Sequence, residues 1–171
     1  RVIRLVEFDT SKPKHYNIIA DTALGGRPDV VVLISNSVDA ALIASKLHEK
    51  DKSVHLAGSA WASTERLIEL GGKAVEGMLV EQFFNRADTS ERYVKFRGAF
   101  VRRFGNEPGY AGLTAYDAAN VLMDAMTASP KRTGIKAALL ARRSFTGAQG
   151  TISFDDSGDA LRESYISKIS N

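Results

Sequence analysis

The sequence predicts an α/β fold organised around a parallel sheet, and three observations support this prediction. Stretches typical of strands and of helices alternate through the first half of the chain. Residues 30–34 form a continuous run of β-branched and aliphatic side chains, which is typical of a strand buried on both faces of a parallel sheet. The glycine pairs at 25–26 and 71–72 follow predicted helices, where glycine ends a helix.

The first elements follow from periodicity and from cap residues. Residues 2–8 are apolar and rich in β-branched side chains, which predicts a strand, and residues 16–24 carry apolar side chains at helical spacing. Ser37 is the predicted N-cap of a second helix that runs to about residue 50. The side chains expected to face inward on that helix are Ala41, Leu42, Ala44 and Leu47.

Two further strands and a helix complete the alternation. Residues 54–57 and 78–83 are predicted strands, and residues 63–70 are the helix between them. Right-handed crossovers then place the strands side by side in one sheet. The chain opens inside a predicted strand with no methionine and no leader before it, so we expect further sequence upstream.

The second half is predicted to be mainly helical. Asp88 and Glu91 form an expected N-terminal cap pair for a helix that ends at Gly105. A longer helix over residues 113–128 is apolar around much of its circumference, which favours burial. The first of these helices carries an aromatic stripe, interpreted as core packing, that consists of Tyr93, Phe96, Phe100 and Phe104.

A third, shorter helix follows around Ile135, and the chain ends in a predicted β-hairpin. Three consecutive helices within residues 85–143 need a sheet to cover, and most of that sheet is expected to lie outside this chain. Strands at 151–154 and 165–169 flank the polar segment 155–159, which reads as a hairpin turn.

Composition excludes several classes of function. There is no cysteine, which rules out disulfides, thiolate metal ligands and a cysteine nucleophile. The net charge of +3 comes from 23 basic and 20 acidic residues that are scattered, so we expect no nucleic-acid partner. No apolar run approaches the roughly 18 residues that span a bilayer.

No residue pattern indicates catalysis, a metal site or a cofactor. The three histidines, His15, His48 and His55, lie among polar neighbours without metal-ligand spacing, which favours surface positions. The aspartates of segment 155–159 do not match a calcium-binding loop. Because no base, nucleophile and oxyanion site come together, we expect a protein that is not an enzyme.

The candidate binding residues follow from position. In open α/β sheets ligands bind beyond the carboxyl ends of the strands. Asp9 and Thr10 follow the first predicted strand, Ser35, Asn36 and Ser37 the second, and Gly58, Ser59, Ala60 and Trp61 the third. Hydroxyls, an amide and helix N-terminal N–H groups suit a polar or anionic ligand, and Trp61 suits its apolar part. The competing interpretation is that Ser37 and Ser63 are caps and that Trp61 packs between helices.

Several stretches in this order and spacing resemble the second half of the type I periplasmic binding proteins, in the branched-chain amino acid receptor group of ABC transporters. The resemblance covers nearly the whole chain. Its segments are Pro28-Asp-Val-Val-Val-Leu33, Asp39-Ala-Ala-Leu42, Gly77-Met-Leu-Val80, Phe100-Val-Arg-Arg-Phe-Gly105 with Pro108, Ala115-Tyr-Asp-Ala118, Phe145-Thr-Gly147, Gly150-Thr-Ile-Ser-Phe-Asp155 and Gly158-Asp159.

The resemblance implies two lobes that close on a small molecule without a covalent step. Residues 1–81 and 149–171 would form part of the C-terminal lobe, a three-layer α/β/α unit. Residues 84–147 would be helices of an incomplete N-terminal lobe. It also implies a periplasmic or cell-surface location and a membrane permease of an ABC transporter as partner. Exposed helix faces in the fragment would favour self-association.

The resemblance places the ligand contacts at Asn36 or Ser37, at Ser59, Ala60 and Trp61, and, from the other lobe, near Tyr110. Amino-acid binders of this group carry an acidic residue after the third strand for the ligand ammonium, and this chain has none there. The expected ligand is therefore an amino acid or an aromatic or other carboxylic acid. A sensory or receptor domain of the same fold is the alternative function, and an α/β enzyme of another class is a third.

Overall fold

A computed structural model describes residues 1–9 and 11–170 of the chain. Its internal contacts divide the molecule into two compact units. The first unit comprises Arg1–Gln82 and Ile166–Asn171, and the second comprises Phe83–Tyr165. Residues 149–165, which the sequence assigned together with the first 81 residues, group with the second unit instead.

The first unit is an α/β unit whose sheet has the strand order β1 (Val30–Leu33), β2 (His55–Gly58), β3 (Leu79–Gln82) and β7 (Tyr165–Lys168). β1 runs parallel to β2 and β2 parallel to β3, as the alternation of strands and helices predicts. The helix between residues 65 and 71 is followed by a short 3-10 turn, Gly72–Val75. The elements are α1 (Tyr16–Leu24), β1 (Val30–Leu33), α2 (Ser37–Lys50), β2 (His55–Gly58), α3 (Glu65–Gly71), β3 (Leu79–Gln82) and β7 (Tyr165–Lys168).

The helices of this unit pack on one face of its sheet. Leu33, Gly58 and Val80 form one row across β1, β2 and β3, and this row is buried with the helices in a single apolar core. Successive side chains of a strand point to opposite faces. Val32 and Leu79 therefore point away from the helices, and they are 61% and 46% exposed. The expected burial of residues 30–34 on both faces is wrong for the described chain.

The predicted first strand does not form. Residues 1–9 carry no strand, although Phe8 packs in part against the core. A strand needs a hydrogen-bonding neighbour, and the sheet begins at β1 without one on that side. Val2 and Leu5 are 84% and 78% exposed as a result.

The second unit holds three helices and a small antiparallel sheet of order β4-β5-β6. The predicted terminal hairpin is wrong, because β5 pairs with β4 and β6, whereas β7 joins the sheet of the first unit. Phe145 and Ile152 face each other in this sheet and pack with Val121 in a small core. The elements are α4 (Glu91–Phe104), α5 (Tyr110–Ala128), α6 (Ile135–Arg142), β4 (Ser144–Thr146), β5 (Thr151–Phe154) and β6 (Ala160–Leu161), with a 3-10 turn at Arg132–Gly134.

The helix faces differ in part from their prediction. Tyr93 and Phe96 are buried, which confirms the aromatic stripe as core, but Phe104 at its end is 62% exposed. Leu42, expected to face inward on α2, is 36% exposed. α5 is buried on one face only, because the described part of the second unit places no layer over its other side. The exposed apolar side chains on α5 include Leu122, Met123 and Met126.

The predicted cap Ser63 does not cap α3, whose N-cap position is Thr64, and two further predicted caps also fall on other residues. Asn36 caps α2, and Ser37 is the first residue of that helix. α4 begins after Ser90, whose backbone N–H donates to the Asp88 carboxylate at 2.7 Å, so Asp88 forms a turn before the helix. Both shifts arise because Asn and Asp side chains bond readily to N–H groups two or three residues ahead.

Candidate functional site

Five of the six predicted site residues lie at one edge of the first unit. Leu33 and Gly58 are paired at the carboxyl ends of the parallel strands β1 and β2. The Ser59 N–H continues the ladder and donates to the Leu33 carbonyl at 3.1 Å. The segments 34–37 and 59–61 therefore leave the sheet side by side, and we refer to them together as the ligand edge.

Asn36 follows β1 and forms the N-cap of α2. Its Oδ1 accepts hydrogen bonds from the backbone N–H groups of Val38 and Asp39, both at 3.0 Å. Its Nδ2 donates to the Asp39 carboxylate at 2.7 Å. Both polar atoms of the Asn36 side chain are thus engaged within the first turn of the helix.

Asp39 is buried beneath this turn and is only 1% exposed. Its Oδ1 accepts hydrogen bonds from the Lys14 ammonium and from the Tyr16 hydroxyl, each at 2.8 Å. Burial by itself would raise the pKa of the Asp39 carboxyl, but the hydrogen bonds from Lys14, Tyr16 and Asn36 outweigh burial and hold that pKa below its ordinary value. The same contact with Asp39 raises the pKa of Lys14. The pair is therefore ionised at neutral pH.

The segment after β2 offers a hydroxyl and an aromatic ring. It turns back on itself, since the Ala62 N–H donates to the Ser59 carbonyl at 3.0 Å. The Ser59 hydroxyl is buried and makes no hydrogen bond to any residue that the structure describes. Ala60 is 9% exposed, whereas the Trp61 side chain is 64% exposed. The alternative in which Trp61 packs between helices does not hold.

Tyr110, the sixth predicted residue, belongs to the second unit. It is the first residue of α5, and it packs in part against the apolar cluster around Phe84 and Phe96. Its ring lies 5.9 Å from the ring of Phe83, measured between centroids. Tyr110 is thus placed on an ordered aromatic surface of its own unit.

Sequence reasoning missed the partners of Asp39. Asn36 and Asp39 are three residues apart, which is the spacing of an N-terminal capping pair, and this signal was available. Lys14 and Tyr16 lie 25 and 23 residues before Asp39, and no pattern in the chain links them to it. Tertiary packing of the start of α1 and of the segment before it brings them together.

Chemically, the ligand edge provides hydrogen-bond donors and an apolar ring. Serine hydroxyls and the positive end of the α2 dipole complement a carboxylate or a similar anion. Among residues 1–9 and 11–170 no three metal-binding side chains are grouped for an ion. Within the same described residues, no helix has both the length and the apolar character needed to cross a bilayer.

Comparison with solved structures places this geometry among known proteins. The leucine binding protein LivK of Thermotoga maritima matches 96% of the chain with a TM-score of 0.87 and 27% identity. LivJ of Streptococcus pneumoniae, solved with isoleucine, matches 83% with a TM-score of 0.75 and 18% identity. A solute binding protein of R. palustris, solved with benzoate, matches 97% with a TM-score of 0.71 and 18% identity.

The chain spans about half the length of these proteins, covering 48%, 41% and 44% of them respectively. A comparison with curated protein sequences found no match. The sequence profile of one family, however, matches residues 12–171. The parallel sheet with its crossover helices and the structural neighbours agree with that match, which confirms the resemblance predicted from sequence. The chain belongs to the periplasmic binding protein family and has the type I fold of the branched-chain amino acid binding proteins of ABC transporters.

Proposed function

We propose that the protein is the solute-binding component of an ABC transporter and binds a small carboxylic acid at the ligand edge without chemical change. The observation that carries the proposal is the ligand edge itself. An exposed Trp61 ring and the buried, unpartnered Ser59 hydroxyl stand beside the first turn of α2. By analogy with the family, the ligand is enclosed by hinge closure between two lobes, with Tyr110 contributing from the second.

The residues of the edge favour an aromatic or other carboxylic acid over an α-amino acid. The segment after β2 carries Ser59, Ala60 and Trp61 and no acidic side chain that would pair with a ligand ammonium. The Asp39 carboxylate is occupied by three protein donors. A carboxylate group suits the serine hydroxyls and the positive end of the α2 dipole, and an aromatic ring suits the face of Trp61. The structural neighbours include one solved with benzoate and one solved with isoleucine.

Trp61 is the only tryptophan in the chain, so its fluorescence reports directly on the ligand edge. We expect benzoate to change the Trp61 emission at the same concentrations that raise the melting temperature, because a ligand that binds only the native state stabilises it. L-leucine is expected to give a weaker effect. The measurements are a fluorescence titration and a thermal-shift titration of the wild-type protein with both compounds.

A pair of aromatic variants distinguishes the loss of a ligand contact at the ligand edge from the general effect of removing an exposed aromatic side chain. W61A is expected to weaken benzoate binding, measured by calorimetry. F104A is the matched control, because Phe104 is exposed to a similar extent, 62% against 64%, but lies on α4. A rise in melting temperature without any change in Trp61 emission would place the ligand elsewhere. No response to any carboxylate would contradict the proposed ligand class.

The wider assignments are proposals of the same kind. The location is periplasmic or at the cell surface, and the partner is a membrane permease, as the family implies. The two-lobe organisation of the sequence is supported by the exposed row Val32 and Leu79 in the first unit and by the exposed face of α5 in the second. A binding protein of this kind carries out no reaction on its ligand.

A further inference from the structure

Four side chains from separate parts of the first unit form a polar cluster at the ligand edge, which we call the Asp39 cluster. Its members are Lys14, Tyr16, Asn36 and Asp39. The Asp39 carboxylate is 1% exposed and takes three side-chain donors at 2.7–2.8 Å. An ionised carboxylate is costly to bury unless such donors satisfy it. Asp39 is therefore retained in the core by a complete set of partners, of which only Asn36 is a predicted ligand contact.

The cluster determines which way the Asn36 carboxamide points. In the observed orientation, Oδ1 accepts from the N–H groups of Val38 and Asp39, and Nδ2 donates to the Asp39 carboxylate. The flipped orientation would set Nδ2 against two N–H donors and Oδ1 against a carboxylate, so both contacts would be repulsive. In a capping box the third helical residue reaches back to the backbone of the cap residue, whereas here it binds the side chain of the cap.

We propose that Asp39 is a positioning residue of the ligand edge that acts through Asn36, fixing the first turn of α2 in its binding orientation. This inference rests on the proposed function. Lys14 ties the segment before α1 to the same carboxylate, and Tyr16 ties the first residue of α1 to it. The Asn36 Oδ1 already accepts two hydrogen bonds and its Nδ2 already donates to Asp39, so we assign the first side-chain contact to the ligand at this end of β1 to Ser37. Ser37 is the first residue of α2 and lies directly after the Asn36 cap.

The first test is made on ligand-free protein by amide hydrogen exchange at positions 38 and 39. D39N replaces an acceptor that faces Asn36 Nδ2, and we expect several-fold faster exchange at both amides. N36S keeps an oxygen at the cap position but removes Nδ2, so D39N should have no further effect in that background. Equal acceleration by D39N in both backgrounds would overturn the action through Asn36.

Two further variants make this test decisive. K46M removes the exposed ion pair with Glu49, at 2.8 Å on the same helix, and is expected to leave exchange at positions 38 and 39 unchanged. If D39N does not fold, N36D takes its place, because it keeps the cap oxygens and sets a second carboxylate against Asp39. If the amides of residues 38 and 39 exchange in N36D at the wild-type rate, the proposal is contradicted.

The second test measures binding of benzoate and L-leucine by calorimetry. D39N is expected to raise Kd several-fold when Asn36 is present and to add nothing to N36S. S37A is expected to raise Kd without changing amide exchange, and an unchanged Kd in S37A would overturn the assignment of the contact to Ser37. If the wild type binds neither compound, the proposed ligand class fails, while the exchange measurements still decide whether Asp39 positions Asn36.

Discussion

At the scale of single residues, each unit contains one deeply buried aspartate that joins distant segments. Asp39 holds the segment before α1 through Lys14 in the first unit. Asp117 plays the corresponding part in the second unit, where its Oδ1 accepts from the Ala148 N–H at 2.8 Å and its Oδ2 from Arg162 at 2.6 Å. Both aspartates are 1% exposed. The loss of such a carboxylate leaves a buried donor without its partner, which costs free energy of folding.

Asp117 gives a direct stability prediction. We expect D117A to destabilise the protein by about 3–5 kcal/mol, the usual cost of breaking a buried ion pair. D124A is the matched control on the same helix, because Asp124 pairs with Arg142 at 3.2 Å with both side chains half exposed. Its expected cost is about 0–1 kcal/mol. Urea unfolding followed by circular dichroism measures both, and equal effects would show that the buried junction contributes little.

At the scale of elements, helix ends follow from local chemistry and strand partners do not. α1, α4 and α6 form where apolar spacing and breakers predict helices. The segments at β5 and β7 are both recognisable as strands, but their pairing with each other was wrong. Residues 155–159 form the turn that connects β5 to β6. Because β6 has only two residues, its sequence does not distinguish it from a loop. Strand pairing depends on which apolar faces need cover, and that is decided by contacts far apart in sequence.

Gly98 inside α4 and Gly105 at its C-cap test the conformational preferences of glycine, with opposite expected effects on stability. Gly105 ends the helix in the left-handed region, with φ of 75°, so G105A is expected to destabilise the protein by about 1 kcal/mol. Gly98 lies inside the helix, where a methyl group would meet only the tip of Arg102 at 3.4 Å. G98A is expected to stabilise by about 0.5–1 kcal/mol. Thermal unfolding of both variants measures whether stability falls in G105A and rises in G98A. A loss of stability in G98A would contradict the expectation that alanine is favoured over glycine inside α4.

At the scale of the whole molecule, each unit leaves an apolar face uncovered. In the first unit the face carries Val32 and Leu79, and in the second it carries Leu122, Met123 and Met126 on α5. Exposed apolar patches of this kind mark surfaces that bind other protein. The chain spans about half the length of its structural neighbours.

We expect the chain on its own to self-associate through the exposed face of α5. Sedimentation velocity should show a mass that rises with protein concentration, because burial of apolar area is the driving force. The double variant M123K/M126K is expected to reduce association while the helical circular dichroism stays unchanged, since both side chains are about half exposed. A wild-type chain that stays monomeric at all concentrations would contradict the prediction that the exposed face of α5 drives self-association.

The sequence by itself determined the α/β class, the parallel pairing of β1 to β3, the helices and the adjacency of the segments that follow β1 and β2. These features depend on periodicity, on breakers and on the rule that strand ends meet at one edge, and all of them are local or topological. Only the tertiary structure decided that residues 1–9 form no strand, that β7 leaves its predicted partner, and that Lys14 and Tyr16 meet Asp39. Those outcomes depend on which segments are present to bury a face or satisfy a charge, and a one-dimensional pattern does not contain that information.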